Sequence, residues 1–181
     1  MTTAVSRRPN ADEYHEFFAG YVALVPDGDI LDILRAQLAE VLELLGALPA
    51  EKHDFAYAPG KWSLKQVLGH IIDGEWVFTY RALRFSRGDD TALAGMDQDV
   101  FMDGSNYAQR SLDDMLREFQ QLRQASLTLF ESFSPEMLDR AGVASDLHFT
   151  VRALIYFNAG HAAHHLGVLR DHYLSDAGDL S

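Results

Sequence analysis

Apolar positions recur every three or four residues along four long stretches of the chain, the spacing of one face of an α-helix. In the first stretch Leu31, Leu34, Leu38, Val41, Leu45 and Leu48 form a heptad-like seam suited to bundle packing. Pro26-Asp27-Gly28 interrupts the chain before it, Asp29 is placed to cap it, and Pro49 closes it. The second carries Leu64, Val67, Leu68, Ile71 and Phe78 to about Ser86, where Arg87-Gly88 supplies a cationic last turn and a terminal glycine. Its start is doubly marked: Ser63 and Gln66 form a capping box, and Trp62 can staple onto Val67. The third, capped by Ser111 with Asp113 and Asp114 behind it, has Leu112, Met115, Phe119, Leu122, Ser126, Leu129 and Phe133 in phase. Ser126 breaks that seam either as a packed core serine or as a small polar gap. The fourth runs from about Val151 to Tyr173 behind Thr150 as cap.

Between these lie shorter pieces. Asn10 to Val25 reads as a short helix or arm, with Tyr14, Phe17, Phe18, Tyr21 and Val22 as its apolar side. The polar stretch from Asp89 to Arg110 reads as a crossover loop with short helical pieces, long enough to span a bundle. Its Asp97, Asp99 and Asp103 miss the calcium-loop spacing, because Phe101 stands where the third ligand belongs. Ser134-Pro135-Glu136 starts a helical turn, and Ala141 to Phe149 is a loop or a brief strand pair. Four long amphipathic helices with little strand signal define an all-α bundle, a fold that builds metal sites from side chains on facing helices.

The last helix carries the chemistry. Gly160-His161-Ala162-Ala163-His164-His165 places three of the chain's eight histidines within five residues. At about 100° per residue, His161 and His165 share a face with Val151, Leu154, Ile155, Asn158, Ala162 and Leu169, while His164 points away from it. Two imidazoles one turn apart can place nitrogens on one ion, as in H-E-x-x-H; here no Glu follows His161, which excludes the metalloprotease motif. The pair alone fits core histidines bonded to backbone carbonyls equally well. A third candidate ligand, His70, sits in the apolar pattern of the second helix, beside Val67 and Gly74. His15, His53, His148 and His172 fall in arms, loops or a helix end.

Composition narrows the chemistry. The 181 residues, 48% of them hydrophobic, fit one domain over 1–181 with an N-terminal arm over 1–28. A net charge of −12 with no basic stripe disfavours nucleic acid. No apolar run is long enough for a membrane span, and the N-terminal Arg7-Arg8 pair has no apolar segment behind it that would make a secretion signal, so a cytoplasmic protein is expected. Without cysteine there is no thiolate zinc site and no cysteine nucleophile. Nor is there a phosphate loop, a serine elbow or an internal repeat.

Lys61-Trp62-Ser63, Gly69-His70-Ile71-Ile72-Asp73-Gly74-Glu75, Arg81 and Ala159-Gly160-His161-Ala162-Ala163-His164-His165-Leu166, in that order, resemble the DinB/YfiT-like superfamily over most of the chain. The resemblance implies a four-helix bundle with up-down-down-up topology, which the crossover between the second and third helices suits. It also implies a divalent ion, commonly nickel or zinc, on His70, His161 and His165, and a thiol transferase or isomerase using bacillithiol, mycothiol or glutathione on a small-molecule substrate. It names no catalytic residue. Three neutral imidazoles leave an ion its full charge and an open position, as in catalytic sites. Asp73, Glu75 and Asn158 are candidates to accept the other ring N–H of a ligating histidine, against the alternative that they are plain polar surface groups. A metal-binding stress protein without turnover and a metal-dependent hydrolase are the alternative functions. A homodimer is expected from the resemblance together with the apolar residues Phe17, Phe18 and Tyr21 left on the arm.

Overall fold

Each long helix begins at the residue whose side chain can satisfy its first free N–H groups. The computed structural model describes residues 7–174. Two 3-10 turns, Ala11–Glu13 and Glu16–Phe18, lead into a short α1 (Ala19–Leu24), and Asp29 then caps α2 (Ile30–Gly46) by accepting from the Leu31 N–H. A single turn, α3 (Ala50–His53), precedes α4 (Leu64–Ser86), which opens with the full Ser63–Gln66 capping box. The crossover holds α5 (Gln98–Gly104), capped by Asp97. Ser111 caps α6 (Leu112–Glu131), and the turn α7 (Pro135–Leu138) follows. A two-residue hairpin joins β1 (Ala141–Ala144) to β2 (Leu147–Thr150), and Thr150 caps α8 (Val151–Leu169), which ends in a π-type turn over Arg170–Leu174.

Two clusters of buried side chains set the directions of the helices. One joins the start of α2 (Ile30, Leu34), the ends of α4 (Phe78, Phe85) and α6 (Leu127, Phe130), and the start of α8 (Leu154). The other joins the end of α2 (Val41, Leu45), the starts of α4 (Leu64, Leu68) and α6 (Met115, Phe119), and the end of α8 (Leu166, Leu169). So α2 and α8 run one way while α4 and α6 run the other: up-down-down-up. The sides of the bundle are α2–α6, α6–α4, α4–α8 and α8–α2. Parallel α4 and α6 require the chain to return along the whole bundle between them, which is what residues 87–111 do.

The first half of α8 departs from the one-sided pattern expected of it: every residue from Val151 to Ala162 is buried. The cause is the N-terminal arm, which lies across α8. Phe18 stacks on Phe157 at 4.7 Å and meets Phe149 edge-on. A Cβ on Gly160 would come within 2.1 Å of the Tyr21 carbonyl oxygen, so that backbone crossing requires glycine. Arg8 holds the arm down by donating to the Val22 and Val25 carbonyls at 2.6 and 2.7 Å. Of the arm's expected apolar surface, Phe18 and Tyr21 therefore pack on their own bundle, and Phe17 is left 76% exposed. Among the described residues no helix is long and apolar enough to cross a membrane.

A charged layer at mid-bundle was not expected from the sequence. The Arg123 guanidinium is fully buried and donates to both oxygens of buried Glu75, to the Leu34 carbonyl and to Gln37 Oε1. Gln37 Nε2 in turn donates to the Ala159 carbonyl at 2.9 Å. The network thus ties α2, α4, α6 and α8 together.

Candidate metal centre

His70, on α4, and His161 and His165, on α8, meet where these antiparallel helices cross. The Nε2 atoms of His70 and His161 are 3.0 Å apart, and the rings of His165 and His70 are centred 4.7 Å apart. One ring nitrogen from each of the three lies within 4.8 Å of the others, the described residues' one group of this kind. Gly74 makes the approach possible: a Cβ there would sit 2.6 Å from the His161 ring, so a glycine inside α4, worth about 1 kcal/mol of helix propensity, leaves the space His161 fills. His164 is exposed and outside the cluster, as its phase on the helix requires.

The spacing fits a divalent ion. Two metal–nitrogen bonds of about 2.0–2.1 Å hold their nitrogens roughly 2.8–3.4 Å apart at angles from square to tetrahedral, and the His70–His161 pair already stands at 3.0 Å. The three nitrogens together spread over 4.8 Å, so the widest pair closes by roughly 1.4 Å to reach that range on capture. The donors are also in the required protonation state. Burial, reinforced by the neighbouring His164, lowers the His70 pKa to about 4. Burial, with His70 and His164, lowers that of His165 to about 3. His161 is pushed well below the ordinary value by burial and by the three other imidazoles. Neutral imidazoles need lose no proton to bind an ion near pH 7.

These depressed values set a pH dependence for the metal-free protein. The unfolded histidines titrate near 6.5, so below that pH the unfolded chain binds protons that the folded triad refuses. Stability is complete above about pH 6.5 and declines as pH falls toward 4, at up to about 1.4 kcal/mol per pH unit for each histidine. Urea midpoints of chelator-treated protein should fall between pH 7.5 and 5, and the His161→Ala variant should show a shallower slope. Equal slopes would remove the triad as the cause.

The three polar candidates find hydrogen-bond partners outside the triad. Asp73 accepts a 2.7 Å hydrogen bond from the Tyr107 hydroxyl, and burial raises its pKa although that bond opposes it. Glu75 is engaged by Arg123 rather than by a histidine. Asn158 donates to Thr79 Oγ1 at 3.3 Å, which bonds buried Ser126 at 3.0 Å, so Ser126 is a packed core serine. Trp62, expected as a helix staple, also has its ring 5.1 Å from that of His70.

Two cavities open on the triad. One, of about 260 Å³, touches His70 and His161 and is walled by Phe78, Val77 and Met96, with Arg81 on its lining. The other, of about 290 Å³, reaches His165 beside Trp62, Tyr57 and Lys61. Gln98, first residue of α5, lines both. The crossover loop therefore contributes to the site, a role its acidic sequence did not disclose.

Fold and site define a class: a four-helix bundle of up-down-down-up topology whose facing helices bring three histidines together at the foot of open cavities. The chain belongs to the DinB superfamily, whose family model matches residues 33–169. Among solved structures it is similar to YfiT from Bacillus subtilis, described as a probable metal-dependent hydrolase with an unusual four-helix bundle topology. The likeness has a TM-score of 0.72 over 93% of this chain and 95% of that one, at 14% identity. No curated protein matches the sequence.

Proposed function

We propose that this protein is a metal-dependent transferase that joins a small electrophile to a low-molecular-weight thiol, with a divalent ion such as nickel or zinc held by His70, His161 and His165. The observation that carries this reading is the pair of separate cavities on one triad, the larger touching His165 and the smaller His70 and His161. Two cavities that meet at one triad can seat two organic molecules at once, which a transfer uses and a hydrolysis does not require. When bound, the ion would supply positive charge that makes a thiol or water nucleophilic near neutral pH. The chain's own share is to keep three imidazoles neutral and aimed at one point. It also walls the smaller chamber with the apolar side chains of Phe78, Val77 and Met96, and sets Gln98 on the lining of both chambers.

A second reading, metal-dependent hydrolysis, is favoured by the description of YfiT. One assay separates the two. Protein loaded with zinc or nickel is given monochlorobimane with bacillithiol, mycothiol or glutathione in turn. The proposed activity requires one of the thiols and falls at least about a hundredfold in His161→Ala, a loss of the size that removal of a transition-state contact produces. Turnover without thiol that still needs His161 would replace transfer by hydrolysis. Turnover that survives His161→Ala would remove both.

A further inference from the structure

Arg81 is 5% exposed and lines the smaller cavity together with His70 and His161. Its Nη2 donates to the Ala94 carbonyl at 3.0 Å and to Ser145 Oγ at 3.1 Å. Among the described residues no carboxylate pairs with it, whereas the chain's other deeply buried arginines do have acidic partners: Arg123 has Glu75, and Arg152 has Glu13 and Asp139. A guanidinium stays charged inside a protein, and burying a charge without a counter-ion is costly. Neutral acceptors alone leave that charge uncompensated.

The surroundings are built to hold it. Ser145 and Asp146 form the hairpin turn with φ of 53° and 60°, the left-handed backbone that a two-residue β-hairpin loop adopts at both positions. The turn is pinned to the crossover loop by hydrogen bonds from the Leu93 N–H to the Val143 carbonyl and from the Ser145 N–H to the Leu93 carbonyl. It brings the Ser145 hydroxyl to Arg81, and crossover loop and hairpin together fix the guanidinium on the cavity wall.

We propose that this cavity binds a small molecule with one acidic group and an apolar body, the acidic group pairing with Arg81 and the body lying among Phe78, Val77 and Met96 toward His70 and His161. The proposal deepens the reading above by naming the class of electrophilic substrate, and it takes this chamber as that substrate's place. At about 260 Å³ the chamber lies just under the usual range of roughly 300–1,000 Å³ for ligand pockets, so the molecule is a small one. A carboxylate and a phosphate monoester present the same fork of oxygens to a guanidinium.

The experiment uses metal-free, chelator-treated protein, so that an acid cannot bind through the ion. Phenylacetate, phenyl phosphate and the neutral phenylacetamide are titrated by calorimetry. At least one acid should bind tenfold or more tightly than the amide, and the stronger of the two tells carboxylate from phosphate. Arg81→Gln should erase the difference and Arg81→Lys should keep part of it. Met96→Glu, which leaves Arg81 in place and adds a carboxylate to the wall, should also abolish it and serves if Arg81→Gln does not fold. Equal binding of acid and amide, no binding of any probe, or acid selectivity unchanged in Arg81→Gln or Met96→Glu overturns the proposal. Metal loading is measured separately, so failure of the ion and failure of the acid pocket are told apart.

Discussion

Untagged His161→Ala protein should carry no stoichiometric divalent metal by elemental analysis, under conditions where the parent chain carries one ion. His161 is as deeply buried as His70 and its Nε2 stands 3.0 Å from that of His70, so its loss removes a central member of the ligand set. Affinity should fall by more than the roughly 10–100-fold that follows when only the partner of a ligand is lost, and His165→Ala should behave likewise. His164→Ala is the decisive control, because it removes a neighbouring imidazole of the same chemistry that lies outside the cluster. That variant should retain the ion. If His164→Ala empties the protein while His161→Ala does not, the assignment of the ligand face is wrong.

The second large effect is structural. Replacing Arg123 by Met should lower stability by about 3–5 kcal/mol, the usual consequence of leaving one charge of a buried pair without its partner. Glu75 would keep none of its three hydrogen bonds from that guanidinium, and the Leu34 carbonyl and Gln37 would each lose one. Glu75→Leu should cost a similar amount for the converse reason. The double variant Glu75→Leu/Arg123→Met should be more stable than either single one, because no charge is then left buried alone. Urea unfolding of all four proteins gives the comparison. Single variants within about 1 kcal/mol of the parent, the worth of one ordinary hydrogen bond, would mean that water enters and solvates the pair.

The contrast between those two sites marks what the sequence disclosed. Caps were legible because they are local: Asp29, Ser63, Ser111 and Thr150 each act on N–H groups within three residues. The inward phase of His161 and His165 was legible because the helical period alone fixes it, and the crossover length agreed with parallel α4 and α6. Arg123 and Glu75 escaped because a charge on an amphipathic helix reads as surface. A signal was present nonetheless: Arg123 falls in phase with Phe119 and Ser126, and Glu75 with Ile71 and Phe78, so two opposite charges occupy inward positions of neighbouring seams. All-round burial of α8 escaped for a different reason. Periodicity describes one helix, and the cover supplied by the arm is a tertiary event. The same holds for Gln98 and Ala94, which reach the site only through the path of a loop.

That path bears on how such proteins can diverge. The three histidines are fixed by two helices whose crossing leaves almost no latitude, since even one methyl group at Gly74 would collide with His161. The chamber walls come in good part from elsewhere, from Met96 and Gln98 on the returning strand of chain and from Ser145 at a hairpin tip. Connecting segments accept substitution and length change far more readily than packed helices do. Mutation can therefore remodel what the chamber admits while the histidine frame stays intact. Two chains of one fold can thus share a backbone at very low identity and still differ in the shape and charge of their cavities, with the difference carried by the connections and the common frame by the bundle.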